Sequence, residues 1–211
     1  MARSFNLNKG QTFRLEKDSG LSNIKVTLGW KAGADLDACA FLLGEDGVIT
    51  DNADFVFYNS ENREKKFSRE EFKNKKNWRA LTRPMSADGS VLGSLDDLGE
   101  EGDEGEDDAS EEMTINLDKV GANITEIIFC VTIYHGEEEG VSFGKVRDPY
   151  IAIEDEDAGE ELCRYNLKES FSTETAVVAG SLIVDEEGEW KFKAEGQGYN
   201  GGMQALIDIY A

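Results

Sequence analysis

Apolar residues at every second position are the feature of this chain that most narrows what it can become. Ile24, Val26, Leu28 and Trp30 alternate with Lys25, Thr27 and Gly29, and Trp190, Phe192 and Ala194 alternate with Lys191 and Lys193. A period of two sends one set of side chains to one face of an extended strand and the other set to the opposite face, so these segments read as half-buried β-strands. Further strands are predicted at 12–15, 38–43, 55–58, 113–117, 150–153, 162–165 and 175–184. The run 127–133 is apolar without alternation, as a central strand buried on both faces would be. Acidic-glycine turn signals at 45–47, 87–89, 157–159 and 186–188 separate these strands. Many short strands between such turns, with only two prolines, predict an all-β fold, an antiparallel β-sandwich whose loops gather at its ends.

The 211 residues supply enough chain for one sizeable core, and no Pro/Ser-rich linker divides them, so one domain over 1–211 is expected. The net charge is -22, yet hydrophobic residues make up 39% and aromatics 9%, which sets the chain apart from acidic disordered tails. Cys39, Cys130 and Cys163 are odd in number, sit among apolar neighbours and lack Cys-x-x-Cys spacing, the pattern of buried thiols in a reducing compartment. The N-terminal MARSFNLNKGQ has no secretory apolar stretch, and the longest apolar run, 127–134, falls far short of the ~20 residues of a membrane helix. A soluble, cytoplasmic protein is the expectation. The acidic balance disfavours nucleic acid, whose phosphates need Lys and Arg.

Two segments depart from the strand pattern. Residues 61–83 hold nine Lys/Arg against four Glu. Within them Ser68 and Glu71 form a capping box, and Phe67 and Phe72 fit a hydrophobic staple, predicting a short basic helix at about 69–77, outside the sandwich core. At the other end of the chain, residues 203–210 follow a glycine-rich bend and predict a second short helix, with Leu206, Ile207 and Tyr210 turned to the core as a lid.

Residues 94–112 carry eleven carboxylates and no basic residue, half of the net charge on one short loop. So many like charges repel unless cations sit among them, and carboxylates on flexible backbone suit Ca²⁺, which takes six to eight oxygens at adaptable angles. Asp35-Leu36-Asp37 opens the strand at 38–43, and alternate residues of extended chain project to one side, so both carboxylates can meet one ion. By itself such a pair fits a solvated turn as well. Joined to Asp96, Asp97, Glu101, Asp103, Asp107 and Asp108 it makes a calcium site, provided the fold brings the two segments together. Neither segment is an EF-hand: Ala40 stands where that loop needs Gly, and Gly99 stands where it needs a side-chain oxygen.

Other chemistries lack their parts. The string 196–201 matches GxGxxG, but only ten residues follow Gly201, too few for a dinucleotide-binding βαβ unit. His135 is the sole histidine, without a recognisable nucleophile for a triad or a second His for zinc, and reads as a loop residue. Acids are so numerous that a glycosidase-like pair means little. No enzymatic activity is expected. The basic helix with Phe67, Phe72 and Trp78 can touch polyanions or instead neutralise the neighbouring acidic loop.

Ordered strings along nearly the whole chain resemble the TerD-type tellurium-resistance proteins: FNLNKGQTFRLEK, LGW, DLDACAFLLGEDG, DFVFYN, SADGSV and SLDDLGEEGD, then VTIYHG, SFGKV, PYIAIED, RYNLKESFSTETAVVAG, GEWKFKAEGQGYNGG and ALIDIY. The resemblance implies a cytosolic, non-enzymatic β-sandwich that binds two adjacent calcium ions within a stress-response system associated with tellurite, phage and colicin resistance. Carried onto this chain, the family pattern puts Asp35, Asp37, Asp96, Asp97, Glu101 and Asp103 in the site, with Asn59 as a further oxygen donor. Asp107 and Asp108 lie in a stretch longer than the family's, and the basic segment 61–83 interrupts what is elsewhere a short connection. Cys39 stands where Ser is common. The expected partners are calcium and other proteins of a stress-response complex. An alternative is a calcium-dependent adaptor that docks on an anionic membrane, at the inner face, through the basic insertion.

Overall fold

The computed structural model describes residues 4–16, 20–31, 35–66, 68, 70, 81–95, 109–169 and 171–211. Its strands are β1 (Phe5–Leu7), β2 (Thr12–Arg14), β3 (Asn23–Lys31), β4 (Leu36–Leu43), β5 (Phe55–Val56) and β6 (Val91–Leu92), then β7 (Ala109–Asn116), β8 (Glu126–Ile133), β9 (Arg147–Asp155), β10 (Glu160–Asn166), β11 (Ala176–Val184) and β12 (Trp190–Tyr199). Among the described residues the complete α-helices are α1 (Gly136–Glu139) and α2 (Gly202–Tyr210). One sheet runs β1-β10-β9-β3-β7-β6 and the other β2-β12-β11-β8-β4-β5, the two layers of the expected sandwich. Every strand predicted above is present. All pairs are antiparallel except β1 with β10, which run parallel at one edge.

The alternation in β3 does what it promises: Ile24, Val26, Leu28 and Trp30 enter the inter-sheet core beside Ala40, Leu42, Phe129, Val131 and Phe192. The second sheet is buried on both sides. Cys39, Phe41, Leu43, Ile128, Cys130 and Val178 leave its outer face and pack under α2, whose Leu206 is fully buried, with Met203, Ile207 and Tyr210 at its margin. That double burial explains the unbroken apolar runs of β4 and β8. It also buries Cys39 and Cys130, while Cys163, on β10, is buried in the inter-sheet core, and all three are free thiols. Burial pushes the Cys163 thiol up to about 12 and raises that of Cys130.

The strand expected over 55–58 stops at Val56. Ser60 turns the chain there: its Oγ accepts from the Phe57 amide and donates to the Phe55 carbonyl, each at 3.0 Å, and its own amide donates to the Phe57 carbonyl. The basic helix expected at about 69–77 falls, Glu70 apart, outside the described residues. Among the described residues no helix is long and apolar enough to cross a membrane.

Truncating the Leu206 side chain opens a cavity beneath α2. Leu206→Ala is expected to cost about 2–5 kcal/mol in urea unfolding while leaving the inter-sheet core intact. An unchanged midpoint would show that α2 does not hold the outer face.

Candidate metal centre

The chain passes from one sheet to the other between Lys31 and Leu36. Asp35 lies just before β4, with its backbone carbonyl accepting from the Tyr134 amide at 3.0 Å. Within β4 the register sets Leu36 against Ile133 and Asp37 against Thr132. Leu36 and Ala38 turn into the inter-sheet core, so Asp37 belongs to the opposite face, the one that carries Cys39 and Phe41 farther along. Residues of α1 and of the start of α2 lie beside it at this end. Asp35 is exposed and Asp37 half-buried.

Asp37 lines a cavity of about 350 Å³ together with Tyr58, Thr132, Tyr134, His135 and Glu138. Aromatic rings lead out to it from the packed outer layer. Phe41 stacks on Phe55 at 4.4 Å and Phe55 on Phe57 at 4.3 Å, after which edge contacts join Phe57, Tyr58, Tyr134 and His135. Asn59, exposed, follows Tyr58 in the turn closed by Ser60. The buried guanidinium of Arg63 braces this turn from within, donating to the carbonyls of Tyr58 at 3.0 Å and Ser60 at 3.1 Å. It also donates to the carbonyl of Thr82, which ties the turn to the far end of the basic segment. His135 adopts φ 49, with Nδ1 2.8 Å from Glu138 Oε2 one turn into α1. It is a loop residue, as expected, but a loop residue on the cavity rim.

Of the nine candidate ligands, Asp35, Asp37 and Asn59 are described and gather at this end of the second sheet. Asp96, Asp97, Glu101, Asp103, Asp107 and Asp108 lie outside the described residues. What is described is the chain on either side of them. Ser94 and Leu95 share a cavity of about 490 Å³ with Ser110, Glu112, Lys25 and Arg83, so both flanks of the acidic segment meet. Its C-terminal flank enters β7 at Ala109, paired with Trp30, one residue before β3 ends on the way to Asp35. Among the described residues alone, no group of three or more His, Cys, Asp or Glu is arranged to hold a metal.

A second pair of acids, invisible among so many in the sequence, sits at the opposite end of the sandwich. Asp54 is buried, and burial raises its carboxyl above the usual carboxylate range, with the charges of Asp88 and Asp51 adding to the rise. Burial acts on Asp88 in the same direction but is outweighed there. Asp88 accepts from Ser86 Oγ at 2.7 Å, Ser90 Oγ at 2.7 Å, the Ser90 amide at 2.9 Å and the Gly121 amide at 2.8 Å. These four donors hold its carboxyl below the usual range. The SADGSV hairpin is thereby fastened to the β7–β8 connection, a structural role.

Because the folded state lowers the Asp88 pKa, its contribution is present at neutral pH and is lost as pH falls below the usual carboxylate range. Asp54 has the opposite sign, costing stability above its raised pKa. Asp88 is exposed, so solvent screening limits the effect, and Asp88→Ala is expected to lose about 1–2 kcal/mol at pH 7. Urea midpoints of parent and variant should converge as the pH is lowered; a gap independent of pH would refute the assignment.

Comparison with known proteins agrees with this architecture. The TerD-domain profile matches residues 3–210. The tellurium resistance protein TerD of Serratia marcescens is 38% identical over 214 residues, spanning 98% of this chain and 97% of its own. General stress protein 16U of Bacillus subtilis (strain 168) is 37% identical over 215 residues, with the same coverage of 98% and 97%. Among solved structures, a homologue of the telluride resistance protein TerD from Streptomyces coelicolor A3(2) superposes with a TM-score of 0.56 at 19% identity, covering 89% of this chain and 95% of that one. That likeness is one of fold.

Proposed function

The chain belongs to the TerD family, and on that footing we propose that it is a non-enzymatic calcium-binding protein of a tellurium-resistance and general-stress system. Relatives of nearly equal length bear the names tellurium resistance protein and general stress protein. In this reading Asp35, Asp37 and Asn59 hold the ions from the second sheet, and Asp96, Asp97, Glu101 and Asp103 from the acidic segment, with Asp107 and Asp108 as further donors. Two adjacent Ca²⁺ ions are the proposed complement.

The observation that carries the reading is the Trp30–Ala109 pairing. It returns the acidic segment to the sandwich at the end where Asp35 and Asp37 begin β4. The donor chemistry fits as well. The described candidates offer only carboxylate and amide oxygens, suited to a hard cation, and the nearest cysteine in the chain, Cys39, is buried under α2. Calcium supplies charge neutralisation, and the chain supplies a face on which other proteins of the stress system act as partners.

Calorimetry and melting in Ca²⁺, Mg²⁺ and chelator test this. A ligand bound only by the folded form at a hundredfold excess over Kd stabilises by about 2.7 kcal/mol, raising Tm by roughly 5–10 °C for a chain of this size. The rise is expected with Ca²⁺ and absent from the Asp35→Asn/Asp37→Asn variant. Identical melting in all three conditions would sink the proposal.

A further inference from the structure

We propose that the outer face of the first sheet holds a binding site for a small phosphorylated molecule of sugar size. Three of the strings that carry the family resemblance, LGW, PYIAIED and RYNLKES, converge there, and none of them supplies a proposed calcium ligand. Trp30, Pro149, Tyr150, Arg164 and Lys168 line one cavity of about 610 Å³, within the ~300–1,000 Å³ of small-molecule sites. Lys31, Ser110, Asp148, Asn166 and Leu167 complete the lining.

A stack builds the wall of the cavity. Gly29 pairs with Tyr150 across β3 and β9, and a Cβ on Gly29 would stand 2.3 Å from the Tyr150 ring. Only glycine therefore lets the ring lie against the sheet. Arg164 then covers the other side of the ring, its guanidinium carbon 3.9 Å from the centroid, and is held by Glu161 at 2.5 and 3.0 Å. The guanidinium is thus fixed in orientation before any ligand arrives. Asp148, opposite, takes the left-handed φ 49, a conformation that proteins keep at sites where it serves a purpose.

Charge indicates the ligand class. Lys31, Arg164 and Lys168 face the cavity against one lining carboxylate, Asp148, which lies 3.5 Å from Lys31. Among the lining residues and Glu161 behind Arg164, three cations stand beside two carboxylates. Lys168 is exposed and has no ion pair among the described residues. A phosphate monoester, near two negative charges at neutral pH, gains most from such a cluster, and Arg and Lys are its usual partners. Ser110 and Asn166 add neutral hydrogen-bonding groups for hydroxyls. Both faces of Tyr150 are taken, so the site offers this ring to no nucleobase; a polyol phosphate fits it.

Amide chemical shifts of ¹⁵N-labelled protein would be followed during titration with glucose 6-phosphate, inorganic phosphate, glucose and citrate, in calcium and again in chelator. Saturable shifts at Lys31, Ser110 and Lys168 are expected with glucose 6-phosphate in both conditions, more weakly with phosphate. Lys31→Gln/Lys168→Gln should weaken binding roughly tenfold or more with its melting temperature unchanged. No saturable shift at these amides up to about 10 mM would overturn the proposal, as would equal binding of glucose, equal binding of citrate, or full affinity in the double variant. Because the titration is run both in calcium and in chelator, a negative calcium experiment leaves this result standing, and the reverse.

Discussion

The register of β4 against β8 is the constraint on which the rest of the molecule depends. Leu36, Ala38, Ala40 and Leu42 fill the space between the sheets, while Cys39, Phe41 and Leu43 fill the space under α2. A slip of one residue would exchange the two sets and drive Asp37 into the core, where an unpaired carboxylate costs several kcal/mol. The apolar packing on two sides therefore also fixes which way Asp37 faces, and a polar site at the sheet end is a by-product of how the core is satisfied.

The second organising fact is where this acidic chain places its cations. Arg63 and Arg83 stand near the two ends of the basic segment, and their guanidinium groups are spent on backbone carbonyls. Arg63 bonds Tyr58, Ser60 and Thr82, while Arg83 bonds Leu92, Gly93 and Glu112 and the hydroxyl of Thr114. Burial lowers the Arg83 pKa despite the attraction of Glu64, Glu156 and Glu112, so this cation is structural. Lys25 likewise bridges Glu112 and Glu154 across three strands. Part of the positive charge that suggested a polyanion surface in the sequence is thus consumed in closing the neck of the insertion.

Legibility in the sequence tracks the range of the interactions involved. Alternation in β3 and β12 and the continuous apolar runs of β4 and β8 reflect local patterning against a core, and the C-terminal helix announced itself through Leu206, Ile207 and Tyr210. The edge strands β1 and β6 are too short for a period to show, and the parallel pairing of β1 with β10 joins residues more than 150 apart, beyond any local signal. The helix α1 is one acidic turn, GEEE, with no apolar face to mark it. Asp35 and Asp37 stand out in the sequence because alternate residues of extended chain project to one side. Asp54 and Asp88 were not, since only burial and four converging donors distinguish them from the other acids. The cavity around Tyr150 draws on four strands and was equally beyond reach.

The described oxygens of Asp35, Asp37 and Asn59 fall short of the six to eight that calcium takes. In the calcium reading, the remaining ligands come from a segment on the far side of the basic insertion, and coordination closes a long loop. Closure entropy grows only slowly with loop length, so inserting residues 61–83 costs little in affinity provided the neck stays shut. The carbonyl bonds of Arg63 and Arg83 keep it shut. In this arrangement, metal affinity depends on the staples of the neck as well as on the ligands themselves, which gives Arg63 and Arg83 a part in it.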